Sequence, residues 1–225
     1  MRRTHPAWHG PHLRQTGWVL YLEDETDLAI LQRFARLLKH PAEAVLQRPF
    51  LRRVTTNVPQ LARDHFYGLR EARPDLVGIA VFDRLDKGLQ VGQALVELAW
   101  KRREIENYFC QRDVLLRYAR GTGQLDLFTR QRTDAMTEEI AKLEAAFQVI
   151  GRSDPWSSET KASDDFLDPL FKNYFKQLGL RLEFRKRDYC QLVDFLDPAT
   201  VDGEVQEKLD AIVNVARSSR AVPIL

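Results

Sequence analysis

Val77-Gly-Ile-Ala-Val-Phe-Asp83-Arg-Leu-Asp86-Lys-Gly88 is the stretch on which the fold turns. A Pro-Asp turn precedes it. Its first six residues are apolar and lack helical periodicity, which predicts a buried central strand of an α/β sheet. The strand runs directly into two acids and a glycine. Trp18-Val-Leu-Tyr-Leu-Glu23-Asp-Glu-Thr-Asp27 repeats the arrangement earlier in the chain. Open α/β sheets carry their chemistry at the carboxyl ends of the strands. Two strands that deliver acids to one sheet edge therefore point to a divalent-cation site.

After the first of these strands, Asp24 or Thr26 can cap a helix in which Leu28, Leu31, Phe34 or Ala35 and Leu38 recur at helical spacing. His40-Pro41 ends it, because the residue before proline avoids the helical region. Phe50 to Thr56 reads as a short strand. Val58-Pro59 opens a second helix, through Leu61, His65, Leu69 and Ala72. The order is β-α-β-α-β. The middle of residues 94–109 reads as a further strand, with Glu104 and Glu106 on one face because strand side chains alternate. Residues 112–120, 131–150 and 164–178 have helical patterns, 180–184 can add an edge strand, and two helices follow over 188–196 and 202–216. The expected organisation is a flexible basic tail over 1–17, an α/β metal-binding domain over 18–110 and a mainly helical extension over 111–225.

The composition is that of an ordinary globular chain: 225 residues, 44% hydrophobic, 29% charged, net charge +2. No apolar run reaches the roughly 18 residues of a membrane span, so no membrane partner is expected. The N-terminus lacks the apolar core of a signal peptide. Cys110 and Cys190 have no metal-type spacing and suit a reducing cytoplasm. The near-neutral total hides three basic clusters: Arg48, Arg52, Arg53, Arg63, Arg70 and Arg73; Lys101-Arg102-Arg103; and Arg181, Arg185, Lys186 and Arg187. Basic surface around an acidic site suits a polyanion, because phosphate contacts dominate nucleic-acid affinity. Solvated helix faces would give the same clusters.

Glu23, Asp27, Asp83, Asp86, Glu104 and Glu106 are the candidate metal ligands. Carboxylates brought this close repel one another and raise each other's pKa, a cost that a bound Mg²⁺ or Mn²⁺ removes. For Asp27, Asp86 and Glu104 taken singly, caps and surface ion pairs explain the positions equally well. His5, His9 and His12 have spacing compatible with a metal but sit in the tail. Trp100, Tyr108 and Phe109 can stack on bases or fill a core, and core packing is the simpler role.

These residues resemble the TOPRIM domain, shared by topoisomerases, bacterial primases and the nucleases of the OLD (overcoming lysogenization defect) group. That pattern is an apolar strand ending in Glu, an acid four residues on, and a second apolar strand carrying Asp-x-Asp. VLYLEDETD supplies Glu23 and Asp27, and VGIAVFDRLDKG supplies Asp83. WKRREIENYF over 100–109 is similar to a segment of TOPRIM modules attached to ABC-type ATPases in bacterial defence proteins. The resemblance implies a TOPRIM-like, mostly parallel sheet flanked by helices. It also implies a metal-dependent endonuclease in anti-phage defence, acting on nucleic acid, with DNA favoured over RNA. In the OLD group a later Glu and a lysine join the site, which carries over to Glu104 or Glu106 and to Lys161. Glu23, Asp83 and Lys161 are then the catalytic candidates. The sequence departs from the pattern twice: Asp24 stands where the family usually has Gly, and Leu85 stands at the second Asp position, leaving Asp86 one residue further on. No G-x-x-x-x-G-K-[ST] loop is present, so an ATPase is expected in trans if at all, and a homodimer is compatible. The alternative expectation is a catalytically weakened TOPRIM module that regulates an ATPase complex.

Overall fold

The computed structural model describes residues 17–86, 88–121 and 127–219. The tail histidines and Lys87 lie outside the described residues. The α/β expectation holds: four parallel strands are flanked by helices. Strand β1 (Trp18–Leu22) leads into helix α1 (Glu25–Leu37), the single turn α2 (Ala42–Val45) and strand β2 (Leu51–Arg53). Helix α3 (Pro59–Ala72) precedes strand β3 (Val77–Phe82), and strand β4 (Leu95–Ala99) completes the sheet. The spatial order is β2-β1-β3-β4. The chain moves from β1 outward to β2, then crosses back to place β3 on the other side of β1. Directly outside the carboxyl ends of β1 and β3 is therefore the switch point at which open sheets leave a crevice.

The remaining described elements are a 3₁₀ turn (Ile105–Tyr108), α4 (Arg112–Arg120), α5 (Leu127–Val149), a π-helical turn (Ala162–Leu167), α6 (Asp168–Gln177), 3₁₀ segments at Lys186–Phe195 and Pro198–Thr200, and α7 (Gly203–Ser218). Strand alternation divides the interior in two. Trp18, Leu20, Leu22, Ile79 and Val81 face a large core built with α1 and with the elements after residue 104. Val19, Tyr21, Ala80 and Phe82 face a smaller core closed by Ala62 and Phe66 of α3. Gly78 lets α3 approach: a Cβ there would lie 2.8 Å from the Phe66 ring and 3.0 Å from a Val19 methyl.

Four expectations change. Residues 94–109 hold a strand only over Leu95–Ala99, so Glu104 and Glu106 do not alternate along it. Instead the Glu104 N–H donates to Asn107 Oδ1 at 3.0 Å, and the chain coils into the 3₁₀ turn. Residues 180–184 add no edge strand to the sheet. The helix expected over 188–196 is the 3₁₀ segment Lys186–Phe195, and the Phe50–Thr56 strand contracts to Leu51–Arg53. Trp100, Tyr108 and Phe109 are buried, so none offers a face for base stacking.

Candidate metal centre

The crevice at the switch point is a cavity of about 190 Å³ lined by Glu23, Asp24, Thr26, Asp27, Arg53, Thr55, Asp83, Glu104, Glu106, Lys161 and Lys186. Five of the six carboxylates expected from the sequence meet here, with Lys161 beside them. Each arrives by a local device. Glu23 and Asp83 are the residues that directly follow β1 and β3. Asp27 closes the capping box of α1, its Oδ2 accepting from the N–H groups of Glu23 and Asp24 at 3.1 and 3.2 Å. This is the reciprocal pattern that satisfies free N–H groups at a helix start.

Glu104 and Glu106 come from the turn that WKRREIENYF forms. Asn107 Nδ2 donates to the carbonyls of Ser157 and Thr160, at 3.1 and 2.9 Å, and pins that turn to the segment before Lys161. The Ser163 N–H and hydroxyl donate to Glu104. The loop after β3 is laced to the same segment: Arg84 makes a bidentate pair with Glu159, and the Arg84 N–H donates to the Arg103 carbonyl at 3.2 Å.

Asp86 is not part of the site. Leu85 turns into the smaller core on the α3 side, and Asp86, the next residue, is exposed outside the cavity. Leu85 is partly buried against that core, while its charged neighbour stays in solvent.

The electrostatics are those of crowded carboxylates in partial burial. Burial, then repulsion from Glu23, Asp27 and Glu104, pushes the Asp83 pKa up to about 8. Burial also raises Asp27 to about 6, against the stabilising N–H groups at its helix start. Glu104 is raised by burial, with the Ser163 hydrogen bonds opposing the shift. Glu106 is raised well above the usual carboxylate range, by burial and then by Glu104 and Asp27. Its Oε1 is buried with no hydrogen-bond partner. Thr26 Oγ1, also on the cavity wall, is likewise without one.

This donor set, all carboxylate oxygens with one oxygen unpartnered, has the chemistry that suits Mg²⁺ or Mn²⁺. Its arrangement is not that of a closed site: among the described residues no group of three or more His, Cys, Asp or Glu side chains is placed to hold a metal ion. Glu104 accepts from Ser163 and Asp27 from backbone N–H groups.

Sequence reasoning missed Lys186, Asp164 and Ser163 as parts of this site. Lys186 was visible only as one member of a basic run. Several other basic residues are structural: Arg63 pairs with the buried Glu97 at 2.6 Å, and Arg102 packs over Tyr108 and bonds Asp202. No helix among the described residues is long and apolar enough to cross a membrane. Comparison of the chain with protein-family models, curated proteins and solved structures found no match.

Proposed function

We propose that the chain is a TOPRIM-like, divalent-metal-dependent endonuclease that cleaves phosphodiester bonds, DNA ahead of RNA, in bacterial anti-phage defence beside an ATPase partner. The observation that carries this reading is the meeting of Glu23, Asp83, Glu104 and Glu106 with Lys161 in one crevice at the carboxyl edge of the sheet. It rests as well on the resemblance of the two strand–acid motifs. Glu23, Asp83 and one of Glu104 or Glu106 would hold Mg²⁺ or Mn²⁺, with Asp27 fixing the loop between β1 and α1. Bound metal of this kind supplies Lewis acidity and lowers the pKa of an attacking water. Asp83 must give up its proton to serve as a ligand. Glu23 takes the proton from the water as general base, and Lys161 neutralises charge that grows on the phosphate oxygens.

The test is plasmid nicking by the purified chain with Mg²⁺ or Mn²⁺. Asp83→Ala and Glu23→Ala should each lower the rate by on the order of 10²–10³. Nicking that persists in both variants sinks the assignment.

A second reading has its own support in Leu85, partly buried against the smaller core where the family places its second aspartate, and in the open arrangement of the carboxylates. It is a weakened module that regulates an ATPase complex. It predicts no heat of Mn²⁺ binding in calorimetry and stable co-purification with an ATPase; measurable Mn²⁺ binding that Asp83→Ala removes rejects it.

A further inference from the structure

Lys161 and Lys186 reach the same cavity from segments far apart in the chain, and one residue engages both. Lys161 Nζ lies 2.5 Å from Asp164 Oδ2, and Lys186 Nζ lies 3.8 Å from Asp164 Oδ1. Asp164 sits in the π-helical turn Ala162–Leu167, directly after Lys161 and next to Ser163, whose hydroxyl lies 3.2 Å from Asp164 Oδ1. Turns of π geometry inside helical segments frequently occur at functional sites. Here the turn delivers Ser163 to Glu104 and Asp164 to the two lysines.

The charges show why this matters. Six carboxylates line the cavity, and a phosphodiester would be repelled by them unless cations also face it. Of the three basic side chains on the wall, Arg53 is engaged at the rim by Glu25 at 3.5 Å and Asp24 at 4.0 Å. Lys161 and Lys186 share the single carboxylate of Asp164, so the pair keeps a net positive charge for an anion. Both side chains are more than a third exposed. Each ammonium has three N–H donors, and one contact to Asp164 leaves donors free for phosphate oxygens. Two ammonium groups placed together without a counter-charge would repel and drift apart; Asp164 between them holds the pair in register.

We propose that Lys161 and Lys186, held by Asp164, form the seat for the phosphate of a nucleic-acid backbone at the carboxylate crevice, with Asp164 as the positioning residue. The inference deepens the endonuclease reading and rests on it for the chemistry, but not for the binding.

Two measurements test it. The first is fluorescence anisotropy of a labelled DNA duplex with the full chain in EDTA. Lys161→Ala and Lys186→Ala should each weaken binding on the order of tenfold and lower the slope of log affinity against log salt by about 0.9. Lys186→Arg should restore most of the affinity. Unchanged affinity and slope in both alanine variants overturns the seat, whether or not the wild-type chain cuts DNA.

The second is the nicking rate of Asp164→Asn with Mg²⁺. This variant keeps both lysines and removes one negative charge, so a purely electrostatic role predicts binding at least as tight and unchanged nicking. Positioning predicts unreduced affinity with a cleavage rate lower on the order of tenfold. Wild-type cleavage by Asp164→Asn overturns the positioning role. Absence of nicking by the wild-type chain defeats the endonuclease reading instead, and the anisotropy result then decides the seat by itself.

Discussion

Asp83 is the residue at which fold and chemistry meet. It directly follows a buried strand, and burial with three neighbouring carboxylates raises its pKa to about 8. In the unfolded chain an aspartate titrates near 3.9. Between about pH 4 and pH 8 the unfolded state therefore loses this proton while the folded state keeps it. The contribution of Asp83 to stability is present below about pH 4 and is lost as pH rises through about 8. Asp83→Asn, which removes the charge and keeps the shape, should stabilise the metal-free protein by on the order of 1–3 kcal/mol at pH 8. Urea unfolding across pH checks this, and the gain should vanish toward pH 4. A gain that stays constant with pH excludes charge repulsion as its source. Because ligation requires the deprotonated carboxylate, Mn²⁺ affinity should also climb between pH 6 and 8.

At the scale of elements, the strand β3 and the helix α3 show how tightly the sheet edge is built. Gly78 pairs with Val19 and Leu95 across the parallel ladder, and its missing side chain makes room for the Phe66 ring. Gly78→Ala should destabilise by about 1–3 kcal/mol through overpacking, read as a lower denaturant midpoint with an unchanged slope. An unaffected midpoint would mean that Phe66 turns aside freely. Much of this layer was legible in advance. Apolar runs bounded by turn residues signal buried strands without any tertiary knowledge, and β1, α1, α3 and β3 lie where the pattern puts them. The stretch after β4 was not legible. Glu104 and Glu106 have the i, i+2 spacing of a strand face, yet the Asn107 side chain offers the backbone a competing partner and coils the chain. A side chain that bonds its own backbone overrides a short alternating pattern.

Across the whole molecule, the change of element type near residue 110 does not divide the interior. One core runs from Trp18 of β1 through α1 to Val215 of α7. At the carboxyl edge of β4, Glu204 of α7 accepts from the Lys101 N–H at 3.0 Å, from the Tyr108 hydroxyl and from Lys208 at 2.9 Å. Glu204, Tyr108 and Lys208 are buried, and Lys208 also sits over the Trp100 ring. Glu204→Ala leaves a buried ammonium and a hydroxyl without their acceptor, so a loss of about 3–5 kcal/mol is expected in thermal or urea unfolding. A loss below about 1 kcal/mol would mean that water replaces the carboxylate. Calorimetry of the wild-type chain should show one transition, because neither half buries its apolar face without the other; two resolved transitions would refute that coupling.

Strands β1 and β3, the α/β class and the acids that follow those strands are legible from local pattern alone, because burial imposes its period on neighbouring residues. The composition of the site is not. Lys186, Asp164 and Ser163 join Glu104 through packing of a π turn and a 3₁₀ segment against the sheet edge, contacts between residues distant in the chain that no local spacing encodes. Leu85 and Asp86 make the same point in reverse. One is apolar and finds a core, the other is charged and is carried into solvent, so adjacency to Asp83 in the chain did not become adjacency in the crevice.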